Sequence, residues 1–235
     1  MKQIDIIMLT NTANHDIYRM TLDAVKSLRN SSDEDFFNII LVESNKDTTY
    51  EFPVDVYLRP EETFNYNIYL NQAAKHCICD YSAVSNNDVY FHRGWWEKLR
   101  DAMVKHNLDT ASPRSPREQV GIIPQVEMKH RFTPNNKVVE GYMIAYHFCG
   151  WFWAMKKSVR EWLFPLDEKF SFFYQDNDIT MRLEEKESKH ALVAASHVDH
   201  FGQSSHKILL ESKQYYKHTF GLEKTFMEKW QHKFK

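Results

Sequence analysis

The chain of 235 residues carries 30 basic and 32 acidic side chains, a net charge of −2, with 43% hydrophobic and 14% aromatic residues. That composition is globular and excludes a disordered chain, and the near-neutral balance gives no overall electrostatic reason to bind nucleic acid. No run approaches ~18 consecutive apolar residues, and Met1-Lys2-Gln3-Ile4-Asp5 leads into a strand-like run with no signal-peptide pattern, so neither a membrane span nor a leader is expected.

The three cysteines, Cys77, Cys79 and Cys149, are odd in number and lack CxxC spacing. Neither a disulfide framework nor a thiolate zinc site follows, and a reducing, cytoplasmic setting is expected. The six glycines, at 94, 121, 141, 150, 202 and 221, are too scattered for a dinucleotide fingerprint or a phosphate loop. A phosphate held by this chain needs another neutralising group, and a metal is the candidate.

In chain order, Ile4–Thr10 reads as a buried strand. A polar loop follows, then a helix whose apolar face is Ile17, Met20 or Thr21, Ala24, Val25 and Leu28. Asn38–Glu43 and Val54–Leu58 read as the next strands, and Asn65 as the cap of a helix that aligns Leu70, Ala73, Ala74 and Cys77. Tyr81–Ser85 is a short apolar strand that breaks at Asn86-Asn87-Asp88 and resumes as Val89-Tyr90-Phe91. Two readings of the break stand. Asn and Asp are turn residues, and a carboxylate beside amides at a strand end also suits a hard, oxygen-seeking cation.

Beyond the break, Trp95, Leu99, Ala102 and Met103 mark a helix, and Asp109–Ser112 a brief strand stopped by Pro113 and Pro116. Residues 113–140 read as an irregular insertion or active-site loop with a short strand from Gly121 to Glu127, and with Arg114, Arg117, Lys129, His130 and Arg131 as local basic groups. An apolar run from Phe148 to Met155 and a helix from Lys157 to Phe164 precede Phe170–Asp178, an aromatic approach to Asp176 and Asp178. Those two carboxylates lie at the start of a helix reaching about Ser188, where capping alone accounts for acidic residues. Ala191–Ala195 is a strand, followed by His197-Val198-Asp199-His200. The tail, 205–235, reads as two amphipathic helices with the stripe Leu222, Phe226 and Trp230, an extension packed on the domain of residues 1–204. Strands alternating with helices predict an α/β domain, an open, mostly parallel sheet with helices on both faces.

Four ordered segments resemble the family-2-type glycosyltransferases of the GT-A fold. They are Ile6–Thr10 with its loop and helix; Asn65–Ala73 running into Ser85–Val89; Gly150-Trp151-Phe152-Trp153-Ala154-Met155-Lys156-Lys157; and Phe164–Phe170 through Tyr174-Gln175-Asp176-Asn177-Asp178 to Arg182. His200-Phe201-Gly202 resembles the family's closing histidine. The Asn-Asn-Asp spelling resembles the branch that handles rhamnose-like or galactofuranose-like sugars.

The resemblance implies a hexosyl- or pentosyltransferase that takes a nucleotide-diphosphate sugar, a uridine-diphosphate sugar by expectation. It implies inversion and a divalent cation, Mn²⁺ or Mg²⁺. Asp88 and His200 would bind that metal, and Asp176 would be the catalytic base. Thr10, Glu43, Asn67, Asn86 and Asn87 would hold the donor; Trp151 and Asp178 would line the acceptor side. Two positions depart from the pattern. Gln175 replaces a common Glu, and Asn86 replaces a first Asp.

The residues alone leave other readings beside these. Asp176 also suits a helix cap, Glu43 a strand-end turn, and one of Trp151 and Trp153 the core. His200 also suits a structural role, or an HxxH-like zinc cluster with His197 and His206. Two further functions stay in view: sugar transfer to a modified DNA base, served by the basic groups at 114–131, and a catalytically silent nucleotide- or carbohydrate-binding protein. The acceptor and the oligomeric state lie beyond the sequence, because acceptor pockets sit in variable loops.

Overall fold

The computed structural model describes residues 1–115, 137–202 and 213–234, with backbone alone for 213–220. Its strands join one sheet in the order β3 (Val56–Leu58), β2 (Phe37–Glu43), β1 (Ile4–Thr10), β4 (Tyr81–Ser85), β8 (Phe152–Lys156), β6 (Thr110–Arg114), β9 (His190–His200) and β5 (Val89–Phe91), with β7 (Val138–Glu140) also on β9. The ladders set β1, β2, β3, β4, β6 and β9 in one direction and β5, β7 and β8 in the other. The sheet is therefore mostly parallel. Helices α1 (His15–Asn30), α2 (Tyr66–Ala74), α3 (Trp95–Lys105), α4 (Lys157–Leu163), α5 (Gln175–Glu185) and α6 (Lys213–Trp230) flank it.

The strands read as continuous apolar runs because both faces are covered. Side chains alternate across a strand, so Ile4, Ile6 and Met8 of β1 and Ile39 and Leu41 of β2 meet Ala24, Val25 and Leu28 of α1 and Trp95, Trp96, Leu99 and Met103 of α3. Ile7, Ile40 and Val42 point the other way, against Tyr69, Leu70 and Ala73 of α2, Val159 and Leu163 of α4, and Ile179 and Leu183 of α5. The expected cap is present: Asn65 Oδ1 accepts the Ile68 amide at 3.1 Å.

At the amino edge of the sheet Asp5 is fully buried, and its carboxylate accepts from Asn38 Nδ2 at 2.7 Å, the amides of Ile78 at 3.1 Å and Cys79 at 2.9 Å, and Arg160 Nη1 at 3.3 Å. Arg160 also bonds Ser82 Oγ and the Cys79 carbonyl. No disulfide joins the three cysteines, and burial pushes the thiols of Cys77 and Cys79 up to about 12, which leaves them unreactive.

Several elements differ from expectation. Strand β6 runs through Pro113 to Arg114 instead of stopping there, and its register on β9 shifts between those two residues. An irregularity is one of the places a strand accepts proline. β9 extends unbroken to His200, so His197 and Asp199 are strand residues. α5 begins at Gln175, which places Asp176 and Asp178 inside its first turn. Among the described residues of the tail, α6 is closed by a 3₁₀ turn at Gln231–Lys233, and the rest of the span expected to hold two helices, 203–212, lies outside them. The α6 stripe packs as expected, Phe226 and Trp230 burying against Phe170 with Leu222, Tyr174 and Met181 around them. The expected strand at 121–127, the basic residues Arg117, Lys129, His130 and Arg131, and His206 lie outside the described residues.

Candidate active site

Three parallel strands end at one edge. Thr10 closes β1 opposite Glu43, the last residue of β2, and Ser85 closes β4 opposite Met8. Ligands of open α/β sheets bind outside such carboxyl ends. Glu43 is fully buried, and its Oε1 accepts the amides of Thr12 at 3.0 Å and Asn45 at 2.7 Å. Its Oε2 is also buried and has no hydrogen-bond partner among the described residues. Asn87 turns inward, its Nδ2 donating to Thr10 Oγ1 at 3.1 Å and Thr21 Oγ1 at 2.9 Å. Thr10 and Asn87 thereby fasten the β4–β5 turn to β1 and α1.

That turn aims Asp88. β5 pairs antiparallel with β9, Val89 opposite His200, and the Asp88 carbonyl accepts the Phe201 amide at 2.9 Å. Asp88, 4% exposed, thereby meets His200 with Oδ1 and Nε2 3.2 Å apart. Asn86 Nδ2 lies 3.3 Å from the same nitrogen, and its amide is held by the Trp151 carbonyl at 2.8 Å. The Trp151 indole stacks on the His200 imidazole, centroids 5.2 Å apart at 11°. Its Nε1 is buried without a partner among the described residues.

These donors suit a divalent cation. Cis ligands of an octahedral ion at 2.0–2.1 Å lie about 3.0 Å apart, close to the Asp88–His200 spacing. A carboxylate and an imidazole, with the Asn86 carboxamide beside them, form a mixed O/N set that can accept Mn²⁺ or Mg²⁺.

Asp176 arrives from α5. A Cβ on Gly150 would stand 2.1 Å from Asp176 Oδ2 and 2.7 Å from its Cγ, so the carboxyl group rests directly on the glycine backbone beside Trp151. Burial pushes Asp176 up to about 6, although its side chain is only half-buried by surface. The Tyr66 phenol at the head of α2 lies close enough that the charge of Asp176, added to burial, raises it in turn. Contacts thus run from Asp88 through His200 and Trp151 to Gly150 and Asp176.

Two expected site residues point elsewhere. Asp178 is buried beneath α6, its Oδ1 accepting from Trp230 Nε1 at 2.9 Å and Lys229 Nζ at 2.7 Å. Residues two apart on a helix do not share a face, so with Asp176 over Gly150 the other carboxylate anchors the tail. Asn67 joins Asn65 and Asn71 in clamping one loop: their Nδ2 groups donate to the carbonyls of Asp167 at 2.7 Å, Glu168 at 2.8 Å and Leu166 at 3.0 Å. Asn67 therefore supports the segment leading to Asp176, and its Oδ1 is buried without a partner among the described residues.

The HxxH grouping does not form, because His197 and His200 project from opposite faces of β9; His197 meets Asp199, and His200 meets Asp88. Sequence reasoning missed Gly150 as the seat of Asp176, and Tyr66 as its neighbour. A groove of about 710 Å³ runs between α1 and β5, lined by residues of mixed charge that include Asp16, Arg19 and Lys26, and by Val89 and Phe201, the chain neighbours of Asp88 and His200.

Two of the solved structures that share the fold are similar to this chain over most of its length. The chain superposes on GalNAc-T7, crystallised with UDP, GalNAc and Mn²⁺, with a TM-score of 0.62 at 14% identity, covering 84% of this chain and 43% of that one. It superposes on S. aureus TarS 1-349 with a TM-score of 0.55 at 11% identity, covering 81% of this chain and 60% of that one. This chain therefore spans about half the length of either structure. Among curated protein sequences none matches. Residues 7–164 match the model of glycosyl transferase family 2, a span that holds β1 from Ile7 on, the Asn-Asn-Asp turn and Gly150-Trp151. By that match the chain belongs to glycosyl transferase family 2.

Proposed function

We propose that the chain transfers a sugar from a uridine-diphosphate donor to an acceptor hydroxyl, with inversion at the anomeric carbon. The observation that carries this reading is the carboxyl of Asp176, held near a pKa of about 6 by burial and linked through Trp151 and His200 to Asp88 at the strand ends. A group with that pKa is largely ionised at neutral pH and still able to accept a proton, as a general base requires. Asp176 takes the proton from the acceptor hydroxyl as the oxygen bonds to the anomeric carbon. The bond from that carbon to the donor diphosphate breaks, and its electron pair leaves with the nucleotide.

Asp88 and His200, with Asn86 beside them, would hold a divalent cation, Mn²⁺ or Mg²⁺, which would supply positive charge to offset that developing on the departing diphosphate. Glu43 offers its unpartnered Oε2 to a donor group of the nucleoside, and Thr10 marks the neighbouring strand end. Trp151 stands between the His200 imidazole and the Gly150 seat of Asp176 and would line the acceptor side. The UDP and Mn²⁺ in the GalNAc-T7 crystal support the choice of nucleotide and metal. The Asn86-Asn87-Asp88 spelling supports a rhamnose-like or galactofuranose-like sugar.

The test is release of UDP from a panel of UDP-sugars by the purified chain, with and without Mn²⁺. Slow, Mn²⁺-dependent hydrolysis of at least one donor is expected. Tight UDP binding with no turnover of any donor would instead mark a silent binding protein.

A further inference from the structure

We propose that His92, His197 and Asp199 form a second metal site, for a transition-metal cation of the Zn²⁺ class. It lies on the face of the β5–β9 ladder opposite to Asp88 and His200. The proposal is independent of sugar transfer and rests on three features of that ladder.

The first is register. Tyr90 pairs with Asp199 and Phe91 with Val198, so His92, the next residue, lies across from His197; their backbones meet through His92 N–H to His197 O at 3.4 Å. Alternation turns Val89, Phe91, Val198 and His200 to one face and Tyr90, His92, His197 and Asp199 to the other. Three ligating side chains are thus set on one face by backbone pairing alone.

The second is spacing. His92 Nε2 lies 3.1 Å from Asp199 Oδ2, and His197 Nε2 lies 3.1 Å from Asp199 Oδ1. The two imidazoles stack with centroids 4.1 Å apart at 21°, and the three side chains offer ligand atoms all within 4.8 Å of one another. Ligands at 2.0–2.1 Å around a tetrahedral Zn²⁺ are about 3.3 Å apart, so both histidine–aspartate edges are already near metal-bound length.

The third is access and ligand type. Asp199 is largely buried, whereas the His92 and His197 side chains are 39% and 31% exposed. An ion can enter, and water can complete its shell. Two imidazoles and one carboxylate favour Zn²⁺, Cu²⁺ or Ni²⁺ over Mg²⁺.

An ion here would tie β5 to β9, and that same pairing sets Asp88 beside His200. The alternative occupant is no ion at all, with Asp199 simply holding two imidazoles by hydrogen bonds.

The experiment titrates the metal-stripped full chain with Zn²⁺, and in parallel with Co²⁺, in excess Mg²⁺. One equivalent of Zn²⁺ should bind, raising the melting temperature, and Co²⁺ should give the visible bands of tetrahedral coordination. Asp88→Asn should keep this binding; His92→Gln and His197→Gln should each weaken it at least tenfold and abolish the Co²⁺ bands. His92→Gln, just past the end of β5 and partly exposed, decides the matter if His197→Gln folds poorly. Unchanged Zn²⁺ affinity in His92→Gln, no binding by the parent chain, or binding lost only in Asp88→Asn would each overturn the proposal.

Discussion

Asp5 and Glu43 are both fully buried carboxylates, on adjacent strands at opposite edges of one sheet. Asp5, at the amino edge, is saturated: two amides, one carboxamide and the Arg160 guanidinium converge on it. Glu43, at the carboxyl edge, receives two amides on one oxygen and nothing from the described residues on the other. Asp176, at the same edge, is raised by burial alone. Buried polar groups are normally satisfied, so the contrast separates carboxylates that hold the fold from those left ready for a ligand.

The contrast breaks most visibly at Asp176. Asp176→Asn should lower UDP-sugar turnover by about 10²–10⁴-fold, the span of a general base, while UDP affinity holds. The same variant tests the raised pKa through stability. A carboxyl with a folded pKa of about 6, against an ordinary value of 3.8, binds its proton more tightly in the native state than in the unfolded chain. The parent chain therefore loses stability as pH rises through that window. Asn does not titrate. Urea unfolding should find Asp176→Asn more stable at pH 7, by as much as about 3 kcal/mol, with the advantage gone below pH 4. Turnover by the parent chain should rise with pH through about 6.

At the saturated edge the effect is on folding. Asp5→Ala leaves Arg160 buried without its carboxylate and should cost about 3–5 kcal/mol, measured by urea unfolding; nucleotide affinity of the folded fraction should not change. A loss below 1 kcal/mol would show that the pair is not structural. Gly150→Ala comes next. A Cβ 2.1 Å from Asp176 Oδ2 must displace the base, and a displacement near 1 Å should cost about 10²-fold in turnover with UDP affinity retained. Glu43→Gln is the gentlest: it keeps an acceptor for Thr12 and Asn45 and replaces the unpartnered oxygen. UDP should bind about tenfold more weakly by calorimetry, the order of one hydrogen bond to a charged group. Unchanged affinity would make Glu43 a turn support only.

Much of this arrangement was legible in the residues. The apolar runs of β1, β2 and β4 read as strands buried on both faces, and the Asn65 cap and the Leu222–Phe226–Trp230 stripe follow from helical geometry. The unreadable parts share a cause: each depends on a partner distant in the chain. His197–His200 is too polar to read as strand, yet pairing with β5 and β6 makes it one. Asp176 and Asp178 look equivalent until Gly150 seats one and Lys229 claims the other. Asn67 reads as a binding residue because nothing local reveals the loop it clamps, a hundred residues on.

In the proposed function Asp88 with His200 would hold the cation, and Asp176 would take the proton from the acceptor. Calorimetric titration of UDP into the parent chain, Asp88→Asn and Asp176→Asn, each with and without Mn²⁺, separates these roles directly. Mn²⁺ should strengthen UDP binding by the parent chain and by Asp176→Asn alike, and should have no effect on Asp88→Asn. An Asp88→Asn chain that keeps the full Mn²⁺ enhancement would contradict the account.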